Sequence, residues 1–306
     1  MLRQVILAAS RSGTTRRVVE HAPLTRSVVH RFVSGAKTED AVRASEQLIT
    51  SGRTVTIDHL GEDTVEAGQA ASTTKAYLVL LDQLQGAGLT TDAKAEVSVK
   101  LSALGQAIDQ PLALAHATQI CEAARAAGTT VTLDMEDHTT TDSTLEVLKE
   151  LRKDFPSTGA VLQSYLKRTE GDCRDLQGHG SRVRLCKGAY KEPASVAFQS
   201  RSEVDRSYVR CLKVLMAGDG YPMVATHDPR MIAIAADLAT SRQKGSYEYQ
   251  MLFGIRPTEQ ERLAEQGETV RVYVPYGDEW YGYFMRRLAE RPANVAFFLR
   301  AMATKG

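Results

Sequence analysis

Hydrophobic positions change their spacing along the chain. Up to about residue 45 they recur three and four apart (Val18, Val19 and Ala22, then Val28, Val29, Phe32 and Val33), the period of an amphipathic helix. Beyond that point, short β-branched runs alternate with longer segments rich in Ala, Leu, Glu and Arg. The runs predict strands over Thr54–Ile57, Glu96–Val99, Thr130–Leu133, Ala160–Leu162, Arg182–Leu185, Met223–Ala225, Tyr247–Tyr249 and Thr269–Val274, eight in all. Between them, segments such as DSTLEVLKELRKDF and PRMIAIAADLATSRQKG carry helical periodicity and charged faces. Strands that alternate with helices need parallel crossovers, which makes the chain α/β. Eight such units favour a closed (β/α)8 barrel of the TIM type over an open doubly wound sheet, and no GxGxxG follows any strand to support a Rossmann reading. The expected organisation is an N-terminal helical segment, 1–45, packed on a barrel spanning 46–306, with a late helix over the barrel mouth.

Nearly every predicted strand ends in polar or charged residues: Asp58–His59, Lys100, Asp134–Glu136, Gln163, Lys187, Thr226–His227–Asp228, Gln250 and Tyr273. Singly, a polar residue where a strand gives way to a loop is commonplace. In a barrel, however, the C-terminal strand ends all face one mouth, where sites are built, so the set predicts one shared site.

Composition narrows the partners. A chain of 306 residues that is 43% hydrophobic and 25% charged is ordinary globular protein, long enough to bury a sizeable core. A net charge of +1 argues against a nucleic-acid partner, which calls for a basic face. Cys121, Cys173, Cys186 and Cys211 share no CxxC or metal-type spacing, as expected of reduced thiols in a cytoplasmic protein. The apolar run Val5–Ala9 is too short for a signal-peptide core, and nothing approaches the ~20 apolar residues of a membrane span. Peripheral contact with the inner face of a membrane stays compatible with this pattern.

The stretch VRVYVPYGDEWYGYFMRRLAERPANVAFFLRAM is the most unusual in the chain. Val270–Val274 alternates as a strand, Pro275 and Gly277 turn the chain, and Asp278 is suited to cap a helix running to about Glu290. Pro292 ends that helix before a last amphipathic segment. On the helix, Tyr283, Arg286, Arg287 and Glu290 are three or four apart and share one side. Two adjacent guanidinium forks suit bidentate recognition of a carboxylate or phosphate. Such Arg–Glu sets are usually solvated, but the neighbouring Trp280, Tyr281, Tyr283 and Phe284 are unusual for a solvated face.

YVPYGDEWYGYFMRRLAERPAN resembles the signature of the proline dehydrogenase family. Further blocks follow in register: VSVKLSAL, TLDMED, VLQSYLKRT, VRLCKGAYKEP, VATHD and YEYQMLFGI. The resemblance runs from about residue 45 to the end and is strongest to the short, monofunctional bacterial members. It implies a noncovalent FAD, oxidation of L-proline to Δ1-pyrroline-5-carboxylate as the first step of proline catabolism, and a membrane quinone as electron acceptor. A separate pyrroline-5-carboxylate dehydrogenase is the implied next enzyme. By the same resemblance, Arg286 and Arg287 bind the proline carboxylate with help from Lys100, while Asp134 and Arg184 hold the catalytic positions. Arg184 faces the flavin, and Asp134 serves as an anchor or a base. Tyr190, Leu252, Tyr273 and Tyr283 enclose the substrate ring, and Met135, Gln163, Lys187, Gly188, Ala189, Thr226 and His227 join Arg184 around the flavin. Asp228 stands where a typical member carries Asn, so one donor is missing there. No metal is implied. From the residues alone, two other barrel chemistries on a small carboxylate stay open: a metal site built from His59, His138, His227, Asp58 and Asp228, and a Schiff base on Lys100 or Lys187. A non-catalytic anion-binding barrel is the third alternative.

Overall fold

A computed structural model describes residues 29–290 of the chain. Its strands form one parallel sheet in the order β3-β2-β1-β8-β7-β6-β5-β4, comprising β1 (Thr54–His59), β2 (Ala95–Val99), β3 (Val131–Leu133), β4 (Ala160–Gln163), β5 (Arg182–Cys186), β6 (Tyr221–Ala225), β7 (Glu248–Leu252) and β8 (Val270–Tyr276). The two ends of that order meet where Gly159 N–H donates to Val131 O at 2.8 Å and Leu133 N–H to Gly159 O at 2.9 Å, closing the barrel. Glycine is needed at this seam, because a Cβ on Gly159 would lie 2.6 Å from Thr132 Oγ1.

Helices fill the crossovers: α1 (Thr38–Thr50) precedes β1, and α2 (Ala67–Gly86), α3 (Gln110–Ala126), α4 (Thr141–Leu151), α5 (Thr169–Leu176), α6 (Arg201–Ala217), α7 (Pro229–Leu238) and α8 (Pro257–Glu265) follow successive strands. The last described helix, α9 (Trp280–Glu290), follows β8. Local chemistry sets several starts. Asp109 caps α3 by accepting from Leu112 N–H, Ser200 and Glu203 form a capping box on α6, and Asp228 caps α7 with Pro229 in its first turn.

Alternation along each strand divides the barrel into two environments. Outward residues are apolar: Val55 and Ile57, Val97 and Val99, Val131 and Leu133, Val183 and Leu185, and Val270, Val272 and Val274 pack with helix residues in the main core. Inward residues are mostly polar, with Val161 and Met223 among them as apolar members. Thr56, Glu96, Ser98, Thr132, Arg182, Arg184, Glu248, Gln250 and Arg271 hydrogen-bond one another across the interior and Asp58 bonds Lys100, where barrels more often stack branched aliphatic layers.

Three sequence expectations shift. Residues 30–37 are turn and coil rather than helix, because their backbone bonds to the end of β8: Ser34 N–H reaches Pro275 O at 3.0 Å and Gly277 N–H reaches Gly35 O at 2.9 Å. Val18, Val19, Ala22 and Val28 lie outside the described residues, and α1 runs continuously through residue 45. The seventh strand extends to Leu252 instead of stopping at Tyr249, which places Gln250 inside the strand, from where it still lines the cavity at the barrel mouth. The last helix begins at Trp280, two positions after the expected cap at Asp278.

Buried charge must be matched inside such a barrel. Arg271 Nε lies 2.9 Å from Glu248 Oε1 and 3.8 Å from Glu96 Oε1, while Arg182 Nη2 meets Glu96 Oε2 at 2.5 Å. Burial pushes the Glu96 carboxyl up, but Arg182, Arg271 and Arg184 outweigh it and hold Glu96 down at about 2. Removing one partner of a buried pair strands the other, at a cost of about 3–5 kcal/mol. We therefore expect Arg271→Met to destabilise the protein by roughly that amount at neutral pH in urea denaturation; a loss under about 1 kcal/mol would contradict a stranded carboxylate. With its folded pKa depressed, Glu96 contributes stability that is complete above 4.5 and fades as the pH falls towards about 2. The gap between wild type and Arg271→Met should accordingly narrow when the same titration is repeated near the acid end of that window.

Candidate active site

The strand ends and α9 surround a cavity of about 510 Å³. Asp134, just past β3, is its hub. One carboxylate oxygen accepts from Ser98 Oγ at 2.7 Å and Arg184 Nη1 at 2.6 Å, and the other accepts from Tyr273 Oη at 2.7 Å. Lys100 Nζ stands 3.6 Å from that second oxygen, and its closer partner is the fully buried Asp58, at 2.6 Å. Alternation brings these groups together: Asp58 sits two residues beyond Thr56, Lys100 two beyond Ser98, and Asp134 two beyond Thr132, so each continues an inward face.

Electrostatics fix the protonation of this cluster. Burial opposes charge on Asp134, but Arg184 and Lys100 prevail and hold its carboxyl below the usual range. Burial likewise opposes the Lys100 ammonium, and Asp58 and Asp134 overcome it, raising its pKa further. The Tyr273 phenol is pushed well up by burial and by Asp134, so it stays a donor. Lys100 is therefore a locked cation, unsuited to act as a free-amine nucleophile. Lys187, the other Schiff-base candidate, is bound to Asp205 at 2.5 Å and Asp228 at 2.9 Å.

Arg184 is held from three sides. Nε donates to Gln250 Oε1 at 2.5 Å, and Nη1 bonds Ser98 Oγ and Asp134; Nη2 has a long 3.5 Å contact to Thr56 Oγ1. Its guanidinium also lies 5.4 Å from the centre of the Tyr273 ring. Gln163 ends β4 and donates to Glu136 O at 2.6 Å, while the Glu136 carboxylate accepts from Ser102 N–H and Oγ. Burial pushes that carboxyl up to about 6 despite those bonds.

The loop after β5 contributes Lys187, Gly188, Ala189 and Tyr190 to the cavity wall. Gly188 has φ +109, and a Cβ there would meet the Tyr165 ring at 2.4 Å, so this turn requires glycine and approaches the cavity as bare backbone. The turn is fastened below: Tyr165 Oη donates to Glu192, which also accepts from His138 N–H and contacts His138 Nδ1. After β6, His227 Nε2 accepts from Leu252 N–H at 2.9 Å, which leaves Nδ1 to carry the proton of the neutral ring. Asp228 caps α7 and binds Lys187 and Arg230, acting as a counter-ion and helix cap.

Met135, Gln163, Thr226, His227, Leu252, Tyr273, Tyr283 and Arg287 line the same cavity, so the structure gathers the sequence-predicted set with one exception. The side chains of Arg286 and Glu290 lie outside the described residues. On α9, the Arg287 guanidinium stacks 5.2 Å from the Tyr283 ring centre, and Tyr281, Tyr283, Phe284 and Met285 pack with Val29, Phe32, Val33 and Leu60. The aromatic crowding in the sequence thus anchors this helix on the mouth. Sequence reasoning overlooked Ser98, although its place two before Lys100 marked it as inward. It also missed Arg201 at the start of α6 and Glu62 after β1, which carry no strand-end signal. His59, His138, His227, Asp58 and Asp228 are not brought together: among the described residues no group of three or more His, Cys, Asp or Glu could hold a metal ion.

Comparison with known proteins agrees with this geometry. The family profile described as "Proline dehydrogenase" matches residues 41–300. "Proline dehydrogenase 1" of Bacillus subtilis (strain 168) is 38% identical over 310 residues, covering 100% of each chain. "Proline dehydrogenase" of Deinococcus radiodurans is 39% identical over 283 residues, or 90% of each chain. Among solved structures, proline utilization A (PutA) from Bdellovibrio bacteriovorus superposes with a TM-score of 0.80 at 24% identity, over 92% of this chain and 34% of that longer one, a likeness of fold. A family match over most of the length, with relatives matched end to end, shows that this chain belongs to the proline dehydrogenase family.

Proposed function

We propose that the chain oxidises L-proline to Δ1-pyrroline-5-carboxylate by hydride transfer to a noncovalently held FAD, with the electrons passed on to a quinone. The observation that carries this reading is the Asp134 hub: Arg184, Tyr273 and Lys100 are locked around one carboxylate, on a cavity that Arg287 also lines from α9. Family membership supports the proline chemistry.

The residues present fit a flavin. Bare backbone at Gly188–Ala189 and the cations Lys187 and Arg201 suit a pyrophosphate, and Met135, Gln163, Arg184, Thr226 and His227 would hold the remainder. When bound, FAD accepts the hydride that no amino-acid side chain can take. Arg184 then offers a fixed positive charge that favours an electron-rich ring. The carboxylate of proline would be held by Arg286 and Arg287 with Lys100, whose charge is kept by Asp58 and Asp134. Tyr190, Leu252, Tyr273 and Tyr283 would enclose the ring, orient it and exclude water. Asp134 acts as an anchor rather than a base, because both its oxygens already accept hydrogen bonds and its charge is answered by two cations. Asp228 replaces a donor but offsets Lys187 and Arg230, and Arg201 supplies a further cation.

Delivery to a quinone implies contact with a membrane surface; among the described residues no helix is long and apolar enough to cross one. The VAFFLRAM segment, a candidate for that contact, lies outside the described residues. A pyrroline-5-carboxylate dehydrogenase would consume the product.

Visible spectra of the purified protein, before and after L-proline without oxygen, decide the main claim. Flavin bands that bleach are expected. Bands that persist would redirect the search to other cyclic amines, and a colourless protein that takes up no FAD would sink the flavin reading. Arg287→Lys should retain flavin yet raise KM for proline by about tenfold or more, since an ammonium loses the bidentate fork; an unchanged KM would remove Arg287 from the carboxylate grip.

A further inference from the structure

Arg184 does not find its orientation at the mouth alone. Its Nε is bound by Gln250, mid-strand in β7 and 3% exposed, which lines the floor of the same cavity and makes no hydrogen bond to Asp134, Lys100 or Tyr273. The opposite end of the same amide, Nε2, donates to Glu248 Oε1 at 2.5 Å. Glu248 is fully buried and is itself gripped through both oxygens by Arg271 Nε, at 2.9 and 3.1 Å, and by Tyr221 Oη at 3.2 Å. Arg271 is tied in turn to the barrel wall through Val55 O at 2.9 Å. The neighbours dictate the amide's direction, because Arg184 can only donate and the Glu248 carboxylate can only accept.

We propose that Gln250 is a positioning residue for the reaction, transmitting the rigidity of the buried Glu248–Arg271 pair to the Arg184 guanidinium. The proposal rests on the reading that Arg184 faces the flavin, and it goes beyond that reading by naming what aims Arg184. With Nε fixed by Gln250, Nη1 by Ser98 and Asp134, and Nη2 3.5 Å from Thr56 Oγ1, the guanidinium plane cannot swivel where it lines the cavity. A neutral amide suits this place better than a carboxylate. It accepts from Arg184 without cancelling a charge already partnered by Asp134, and it separates Arg184 from Glu248. Direct ion pairing with Glu248 would draw the guanidinium towards the barrel interior and away from the mouth.

The test uses the flavin-loaded holoenzyme. Gln250→Met keeps the approximate volume and removes both hydrogen bonds. Rapid-mixing measurement of flavin reduction by L-proline without oxygen should show the limiting rate falling about 10- to 100-fold, as expected for a misaimed electrostatic group, while KM for proline and flavin content stay within twofold. A limiting rate within twofold of wild type would overturn the proposal, and so would a loss of flavin or a KM change that accounts for the whole effect, since those would make Gln250 a packing residue only. A second variant holds if Gln250→Met fails to fold. Gln250→Glu keeps the volume but sets a carboxylate against Glu248 and directly on Arg184, and should slow flavin reduction while KM for proline and flavin content stay within twofold; a limiting rate within twofold of wild type would refute the relay. Bleaching of the wild-type protein by proline is read first and tests the proposed activity separately, so either idea can fail without the other.

Discussion

Arg182, Arg184, Arg271 and Lys100 share the barrel interior with Glu96, Glu248, Asp58 and Asp134, and their mutual pairing is the constraint on which the remainder of the molecule depends. Taking any one of these ions out of water costs several kcal/mol unless an opposite charge and hydrogen bonds meet it at close range. The pairs are contributed by β1, β2, β5, β7 and β8 together with the residues just past β2 and β3, so no single crossover unit carries its own balance. Charge matching therefore disfavours slipped registers: a shift of one residue would turn Glu96 or Arg271 towards the apolar helix layer.

Filling the interior with polar groups transfers the hydrophobic work to the outside of the barrel. Val55, Ile57, Val97, Val99, Val272 and Val274 pack against helix residues such as Leu48, Tyr77, Leu80 and Leu84. The same strand thus supplies core on one face and chemistry on the other. This explains how charges sit immediately beneath the mouth while the surrounding layer stays closely packed.

Within the interior, the charges form two connected levels. Glu96, Arg182, Glu248 and Arg271 make one level, and Asp58, Lys100, Asp134, Arg184 and Tyr273 make the other, at the cavity. Gln250 joins them, bonded to Glu248 on one side and to Arg184 on the other. The mouth level is consequently held in place by the protein's own groups, the condition under which fixed charges act most strongly on a reacting group. Loops supply what the strands cannot. The Gly188 turn brings backbone to the cavity, and α9, docked through Tyr281, Phe284 and Met285, brings Arg287 over it.

By itself the sequence determined the eight βα units, the inward set at the strand ends, and the motif blocks that carry the family resemblance, because alternation and helical period are local properties of the chain. It also singled out Asp134, Arg184, Lys100, Tyr273 and Arg287, which the fold brings to one cavity. Tertiary structure alone decided the partners. No spacing announces that Asp134 takes Ser98, Arg184 and Tyr273 at once, that Lys100 prefers Asp58, or that Gln250 meets Arg184, since these contacts join residues 36 to 139 positions apart. The turn at 30–37 escaped the helical reading for the same reason: its hydrogen bonds go to Pro275 and Gly277, at the far end of the chain's barrel. Periodicity reports which face a residue occupies, and only barrel closure decides what it meets there.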